Sequence, residues 1–363
     1  METVRNILII TPFFSPNIGG VETHLSDLIN QLNKNNYSTT VLTYSPITTP
    51  SISYNKIETI DKTKIIRFPW FGKSIFHQIE KLPFFDFLYL TPYLGIRCFF
   101  WMLFNYRQVN VIHSQGFNAA FIGYFLSIIF RKKHLISIHA IYDHLGLISQ
   151  NLIKPIINNS HKTLCLSKAS KKQLLSWDIN SQKLTVFHYW IDLKFFKPAI
   201  TKPKKLTFIF VGRLIIKKGI LIYLKLAAKF PQYNFLIVGS GPEINLVNQY
   251  LKKYSNIIYL GTSPLYQQAS VLITPSLYQE GYGRVVMEAT ACGLPVIASN
   301  LGGLPEALDN SVAILVKPNL KNFIKAIKTI SKPKIYQQLS SNCRQYALKN
   351  FSSKNFFDIQ NTY

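Results

Sequence analysis

The sequence predicts a doubly wound α/β protein of two domains. Strand-like apolar runs alternate with helix-like stretches almost throughout. The alternation lapses once, in a Pro- and Lys-rich stretch, and then restarts. At 363 residues the chain also exceeds what one compact core holds comfortably.

Asn6–Thr11 is a continuous apolar run, the pattern of a strand buried on both faces. After a Pro/Gly loop, Val21, Leu25, Leu28, Ile29 and Leu32 recur at helical spacing. Ser38–Tyr44, Val109–His113, Leu135–His139 and Thr163–Leu166 are the next strand candidates. Ile191–Lys205 interrupts the pattern. It resumes with Leu206–Val211, Phe235–Val238, Ile257–Leu260, Val271–Thr274, Pro295–Ala298 and Ala313–Val316. The expected domains are 1–197 and 198–345, with 346–363 a closing helix that packs back on the first domain. Open α/β sheets bind ligands beyond the carboxyl ends of their strands, so the cleft faced by both sheets is the expected active site.

Hydrophobic residues make up 48% and charged residues 16%, which excludes a disordered chain. Lys and Arg number 41 against 16 Asp and Glu, a formal net charge of +25. Such a surface attracts phosphorylated small molecules or an anionic membrane face, or is simply a Lys-rich solvated surface. No nucleic-acid-binding signature accompanies the charge, so nucleic acid is not an expected partner. Four scattered cysteines without metal-ligand spacing suit a reducing cytoplasm. No secretory pattern precedes the first strand. The expected location is therefore cytoplasmic, with the inner face of the membrane as a peripheral site. The apolar stretch Leu82–Tyr106 is interrupted by Asp86, Pro92 and Arg97 and reads as a buried or interfacial helix, not a span.

The strongest chemical signal is Pro275-Ser276-Leu277-Tyr278-Gln279-Glu280-Gly281-Tyr282-Gly283-Arg284-Val285-Val286-Met287-Glu288-Ala289, which follows a strand and opens a helix. Gly281 and Gly283, flanking Tyr282, allow a tight turn and close approach of a ligand. Free N–H groups at the helix start suit a diphosphate. Glu288 falls about two helical turns in, so the two carboxylates can each grip one sugar of a sugar nucleotide. The bland alternative is a helix-start preference for Glu280 and a solvated Glu288.

This stretch resembles the E-x7-E motif of the family 4 retaining glycosyltransferases, the glycosyl transferase group 1 family. Ala291-Cys292-Gly293-Leu294-Pro295-Val296-Ile297-Ala298 and Gly302-Gly303-Leu304-Pro305-Glu306 are similar to the family's segment after that motif. Pro16-Asn17-Ile18-Gly19-Gly20-Val21-Glu22 resembles the family's first glycine-rich loop, and Val211-Gly212-Arg213-Leu214 with Lys218-Gly219 its second-domain opening. Val238-Gly239-Ser240-Gly241-Pro242 resembles a further turn of the family. The resemblance covers nearly the whole chain. It implies the GT-B fold, two Rossmann-like domains with the nucleotide-sugar donor held mainly by the second and the acceptor by the first.

The resemblance implies a retaining, metal-independent transfer of a hexose-type sugar; a glycan or lipid-linked hydroxyl is the expected acceptor, the lipid link resting on the basic charge and aromatic content. No Asp-x-Asp pair occurs to hold a metal, and no cofactor is expected. Arg213 and Lys218 become the diphosphate contacts, Glu280 and His139 neighbours of the transferred sugar, and Glu288 the ribose ligand. Gly19, Gly20, Gly281, Tyr282 and Gly283 complete the donor site. His113 reads as structural, while Asp143 and His144 are weaker candidates for the acceptor side. The chain departs from the family at Val186–Asp192, where aromatics replace a small turn, and between Gly261 and Val271, where a short segment leaves the nucleobase open. Two rival readings stand beside the transferase: a nucleotide-sugar 2-epimerase on the same fold, and a non-catalytic basic binding protein.

Overall fold

The computed structural model describes residues 6–17, 19–47, 52–70, 82–142, 146–263 and 265–363. It divides into two compact α/β units. The first comprises Met1–Tyr189 with Asn355–Tyr363, the second Trp190–Lys354.

The first unit is built on an eight-stranded sheet: β1 (Asn6–Ile10), β2 (Ser38–Tyr44), β3 (Ile57–Ile60), β4 (Thr63–Phe68), β5 (Val111–Gln115), β6 (Lys133–Ile138), β7 (Lys162–Cys165) and β8 (Leu184–Val186). The order is β3-β4-β2-β1-β5-β6-β7-β8. Every pairing is parallel except the β3–β4 hairpin. The chain winds outward in both directions from β1 and β5, with helices as crossovers. The helix Gly20–Lys34 buries Leu25, Leu28, Ile29 and Leu32, as their spacing predicts.

The second unit carries β9 (Thr207–Val211), β10 (Asn234–Val238), β11 (Ile257–Tyr259), β12 (Val271–Thr274), β13 (Val296–Ser299) and β14 (Ala313–Val316). Its all-parallel order is β11-β10-β9-β12-β13-β14, so the direction of winding reverses between β9 and β12. Phe208, Phe210, Tyr223, Phe235 and Phe323 fill its core. Each such ring contributes roughly 1.5–3 kcal/mol by leaving water.

The strand expectations fall on real strands, but β3, β4 and β8 have no counterpart among them. β3 is mostly exposed and its hairpin turns at Asp61, with φ 50. One cross-strand ion pair, Arg67 Nη1 to Glu58 at 2.8 Å, ties β4 to β3.

The expected boundary near residue 198 falls inside the second unit. Trp190 onward belongs there because Arg344 donates to the Leu193 and Phe196 carbonyls at 2.7 and 2.6 Å, and the Ile191 amide to the Phe351 carbonyl at 3.1 Å. Residues 346–350 end the helix Pro333–Asn350 of the second unit, and the chain joins the first unit only from Asn355. There the Tyr363 hydroxyl bonds His113 Nδ1 at 2.7 Å, and Lys133 Nζ bonds the Tyr363 carbonyl oxygen at 3.0 Å.

Candidate active site

The reversal of winding between β9 and β12 brings two loops together at the carboxyl ends of these strands. The loop after β9 runs through Arg213 into a short turn, Ile216–Lys218, and then the helix Ile220–Lys229. The loop after β12 runs from Pro275 to Gly283 and opens the helix Arg284–Ala291. The Leu277 amide donates to the Lys217 carbonyl at 2.8 Å, which ties one loop to the other. Gly219, at φ 77, permits this approach: a side chain there would be strained and would collide with the Pro275 carbonyl.

Lys218 reaches across and holds Glu280. Its ammonium lies 2.7 Å from Oε1 and 2.9 Å from Oε2. Ser276 Oγ donates to Oε1 at 2.6 Å and the Tyr278 hydroxyl to Oε2 at 3.0 Å. Four donor contacts thus match the roughly four lone-pair sites of an ionised carboxylate. Burial pushes the Glu280 carboxyl up, but Lys218, Ser276 and Tyr278 outweigh it and hold the group below its usual range. Burial also works against the Lys218 charge; Glu280 and Tyr278 outweigh that and raise its pKa.

Glu288 is held separately. Arg284, one turn earlier on the same helix, donates from Nε to Oε1 at 2.9 Å, and the Tyr266 hydroxyl donates to Oε2 at 2.7 Å. Burial, then the Glu288 charge, pushes the Tyr266 phenol well above its usual range, so it stays a donor. Glu280 and Glu288 are 7% and 8% exposed, so neither is a solvated surface carboxylate. Gly283, at φ 83, starts the helix without a side-chain cap. Arg213 is exposed on the loop after β9.

In the first unit, Gly19 begins the helix Gly20–Lys34, also without a side-chain cap. His139 follows β6 and is buried. Its Nε2 pairs with Gln115 Oε1 and its Nδ1 with the Tyr189 hydroxyl, both at 2.8 Å. Gln115 Oε1 only accepts, so Nε2 carries the proton and Nδ1 accepts from Tyr189. Burial pushes its pKa down to about 3. His24 stacks on Tyr189 at 4.0 Å, with Phe187 5.7 Å away. His113 is bonded at both nitrogens, to Tyr363 and to Ser137 at 2.8 Å, and is structural as expected.

A family model described as glycosyltransferase family 4 matches residues 18–195, and one described as glycosyl transferases group 1 matches residues 192–350. The chain belongs to the group 1, family 4 glycosyltransferases. Its activity is glycosyl transfer. A human phosphatidylinositol N-acetylglucosaminyltransferase subunit is 24% identical over 89% of this chain and 68% of that protein. An Escherichia coli UDP-Gal:alpha-D-GlcNAc-diphosphoundecaprenol alpha-1,3-galactosyltransferase is 28% identical over 60% of this chain and 61% of that one. Among solved structures, sucrose-phosphate synthase from Thermosynechococcus elongatus superposes with TM-score 0.79 at 21% identity, covering 98% of this chain and 97% of that chain. Anabaena HepE in complex with UDP and glucose gives 0.77 at 18%, covering 99% of each. These likenesses fix the GT-B fold.

Within this glycosyltransferase fold, Lys218 and Glu280 come together although 62 residues separate them. Arg213 and Glu288 belong to the same unit. The Tyr282 ring is buried and packs edge-on to Phe351 at 6.5 Å. Both ring nitrogens of His139 are engaged by the chain itself. Asp143 and His144 lie outside the described residues, as does Ile18 of the first glycine-rich loop. Sequence reasoning missed four glutamate partners. Ser276 and Tyr278 stand in the motif already singled out, and Arg284 is four residues before Glu288, a spacing that signals a helical pair. Tyr266 has no such signal. The aromatics that depart from the family, Phe187 and Tyr189, form the packing around His24 and His139.

Proposed function

We propose that this glycosyltransferase moves a hexose-type sugar from a nucleotide-sugar donor to the hydroxyl of a glycan or lipid-linked acceptor, with retention of configuration and without a metal. The observation that carries the reading is the Lys218–Glu280 pair at the winding reversal, beside a Glu288 pre-set by Arg284 and Tyr266. The galactosyltransferase relative, whose name specifies UDP-Gal and a lipid-diphosphate acceptor, supports UDP-sugars as the first donors to test.

In the proposed reaction the bond from the sugar's C1 to the diphosphate oxygen breaks, and a bond from C1 to the acceptor oxygen forms on the same face. The departing diphosphate oxygen takes the acceptor proton, so no protein base is required. A neutral His139 with both nitrogens engaged fits that division of labour. Arg213, Lys218 and the uncapped helix start at Gly283 take up the charge of the leaving group. Lys218 also links the two sugar-phosphate contacts. A diphosphate that draws Lys218 away leaves two lone-pair sites of Glu280 open for sugar hydroxyls. Glu288 binds the ribose. The enzyme works in the cytoplasm at the inner membrane face.

The deciding experiment incubates UDP-sugars with short glycan or lipid-diphosphate acceptors in EDTA and reads the product anomer by NMR. An α-linked product from an α-linked donor supports the reading. An inverted product, or a requirement for added metal, contradicts it. Isomerised donor in the absence of acceptor would favour the epimerase.

A further inference from the structure

The helices Pro83–Leu90 and Pro92–Asn105 form an apolar pair whose two sides differ in fate. Leu94, Cys98 and Met102 recur every four residues and are fully buried in the first unit's core. Ile96, Phe100, Leu103 and Phe104 recur on another face of the same helix and are exposed, Phe104 to 85%. Phe84, Phe85 and Leu88 continue the exposed set on the preceding helix, with Phe84 66% open. Phe125, Ile128 and Ile129 extend it on the helix Gly116–Ile129. Ring contacts make this one surface: Phe87 meets Phe121 at 5.0 Å, Phe121 meets Phe125 at 4.8 Å, and Phe99 meets both Phe100 and Phe130 at about 6 Å.

Ten large apolar side chains on one continuous surface exceed what a solvated face normally shows. Charge identifies what covers it. Residues 82–133 contain five basic residues and one acidic residue, Asp86, which accepts a hydrogen bond from Asn118 at 3.0 Å. Arg107 and Lys132 both lie against the Tyr106 ring, at 5.9 and 5.8 Å, with Arg131 adjoining, so a basic cluster borders Phe104 and Ile129. An apolar face with a cationic border matches the hydrocarbon boundary and anionic headgroups of a lipid leaflet. It does not suit a second copy of this chain, which would bring the same cations against them on a chain already at net +25. By length and composition the run Phe84–Gln108 is, among the described residues, apolar enough to cross a membrane, but Pro92 divides it into the helices Pro83–Leu90 and Pro92–Asn105. Its buried side, Leu94, Cys98 and Met102, is part of the sheet's core, which does not suit a span.

We propose that the first unit docks on anionic phospholipid bilayers through the exposed face of Phe84–Phe104 and Phe125–Ile129, bordered by Arg107, Arg131 and Lys132. This deepens the proposed placement at the membrane face and does not depend on the donor. The test sediments the full chain with vesicles of phosphatidylcholine alone or with about one-third phosphatidylglycerol, at low and high salt. The native chain should bind the anionic vesicles at low salt. Phe104→Glu/Ile129→Glu should lose roughly tenfold or more of that affinity. Arg107→Gln/Arg131→Gln/Lys132→Gln should lose a similar factor and most of the salt dependence. Both variants should keep the native melting temperature and the native thermal response to UDP-sugars.

No binding by the native chain at low salt overturns the proposal, as does native-like binding by Phe104→Glu/Ile129→Glu. Sedimentation of the native chain as a dimer that the same variant dissociates would instead assign the face to a second copy. Vesicle binding without any response to sugar nucleotides would contradict the transferase reading alone, and the reverse outcome would contradict docking alone.

Discussion

The Lys218 ammonium lies within hydrogen-bonding distance of both carboxylate oxygens of Glu280, 2.7 and 2.9 Å away, and joins the loop after β9 to the loop after β12. Both side chains are largely withdrawn from water, at 22% and 9% exposure. Removing one partner of such a pair leaves the other charged and desolvated.

Lys218→Met should therefore lower the stability of the second unit by roughly 3–5 kcal/mol. Lys218→Met/Glu280→Gln should recover much of that loss, because no buried charge is left unpaired, yet should stay inactive. Thermal unfolding of the two variants, read beside turnover, checks this. Equal destabilisation of single and double variants would contradict the pair's role.

The pH dependence follows from the same groups. The Glu280 pKa is depressed below its ordinary 4.5, so its contribution is present above that value and lost as pH falls through the folded pKa. The Lys218 pKa is raised above its ordinary 10.5, so its contribution is present below that value and lost as pH rises through the folded pKa. Donor binding should be flat between these limits. The first unit behaves differently. Burial lowers His113, His134 and His139 from 6.5 to about 3, so folding excludes protons that the unfolded chain takes up. Stability of this unit should fall progressively from pH 6.5 toward 3, with a limiting slope of nearly three protons. Tryptophan fluorescence during acid titration reports it.

Arg284 and Tyr266 both donate to Glu288, and removing the Tyr266 donor differs in signature from neutralising the carboxylate itself. Tyr266→Phe should cost about 1–3 kcal/mol of stability, since one buried carboxylate oxygen loses its donor. Glu288→Gln should weaken sugar-nucleotide binding by roughly tenfold or more, as expected for hydrogen bonds to a charged group. Titration calorimetry with UDP-sugars separates the effects.

His139 should not act as a proton carrier. Tyr189→Phe removes the donor to Nδ1 and should cost about 1–3 kcal/mol of stability. The pH profile of kcat should keep its shape between about pH 6 and 8. A new inflection in that range would show that the imidazole titrates during turnover.

Much of this was legible in the sequence because the signals are local. Continuous apolar runs mark strands buried on both faces, and the stretch from Pro275 to Ala289 carries its glycines and glutamates within a single loop and helix. What escaped depends on long-range packing. Tyr266 reaches Glu288 from a different loop, 22 residues away. The hairpin β3–β4 sits at the sheet edge with β3 mostly in solvent, so its apolar alternation is weak. Membership of Trp190–Lys205 in the second unit is decided by hydrogen bonds from Arg344, which no periodicity records. The engagement of both His139 nitrogens likewise rests on Tyr189, 50 residues on.

The central claim is that Arg213, Lys218, Glu280 and Glu288 form a metal-free sugar-nucleotide site. The most direct measurement is thermal stabilisation of the full chain by UDP-, GDP- and ADP-sugars in EDTA, with Glu288→Ala and Arg213→Ala alongside. At 100 times its dissociation constant a true donor should add roughly 2.7 kcal/mol to the native chain. One nucleotide class should do so, and both variants should lose the response. A folded native chain that responds to none of them, or variants that respond as the native chain does, would contradict the account.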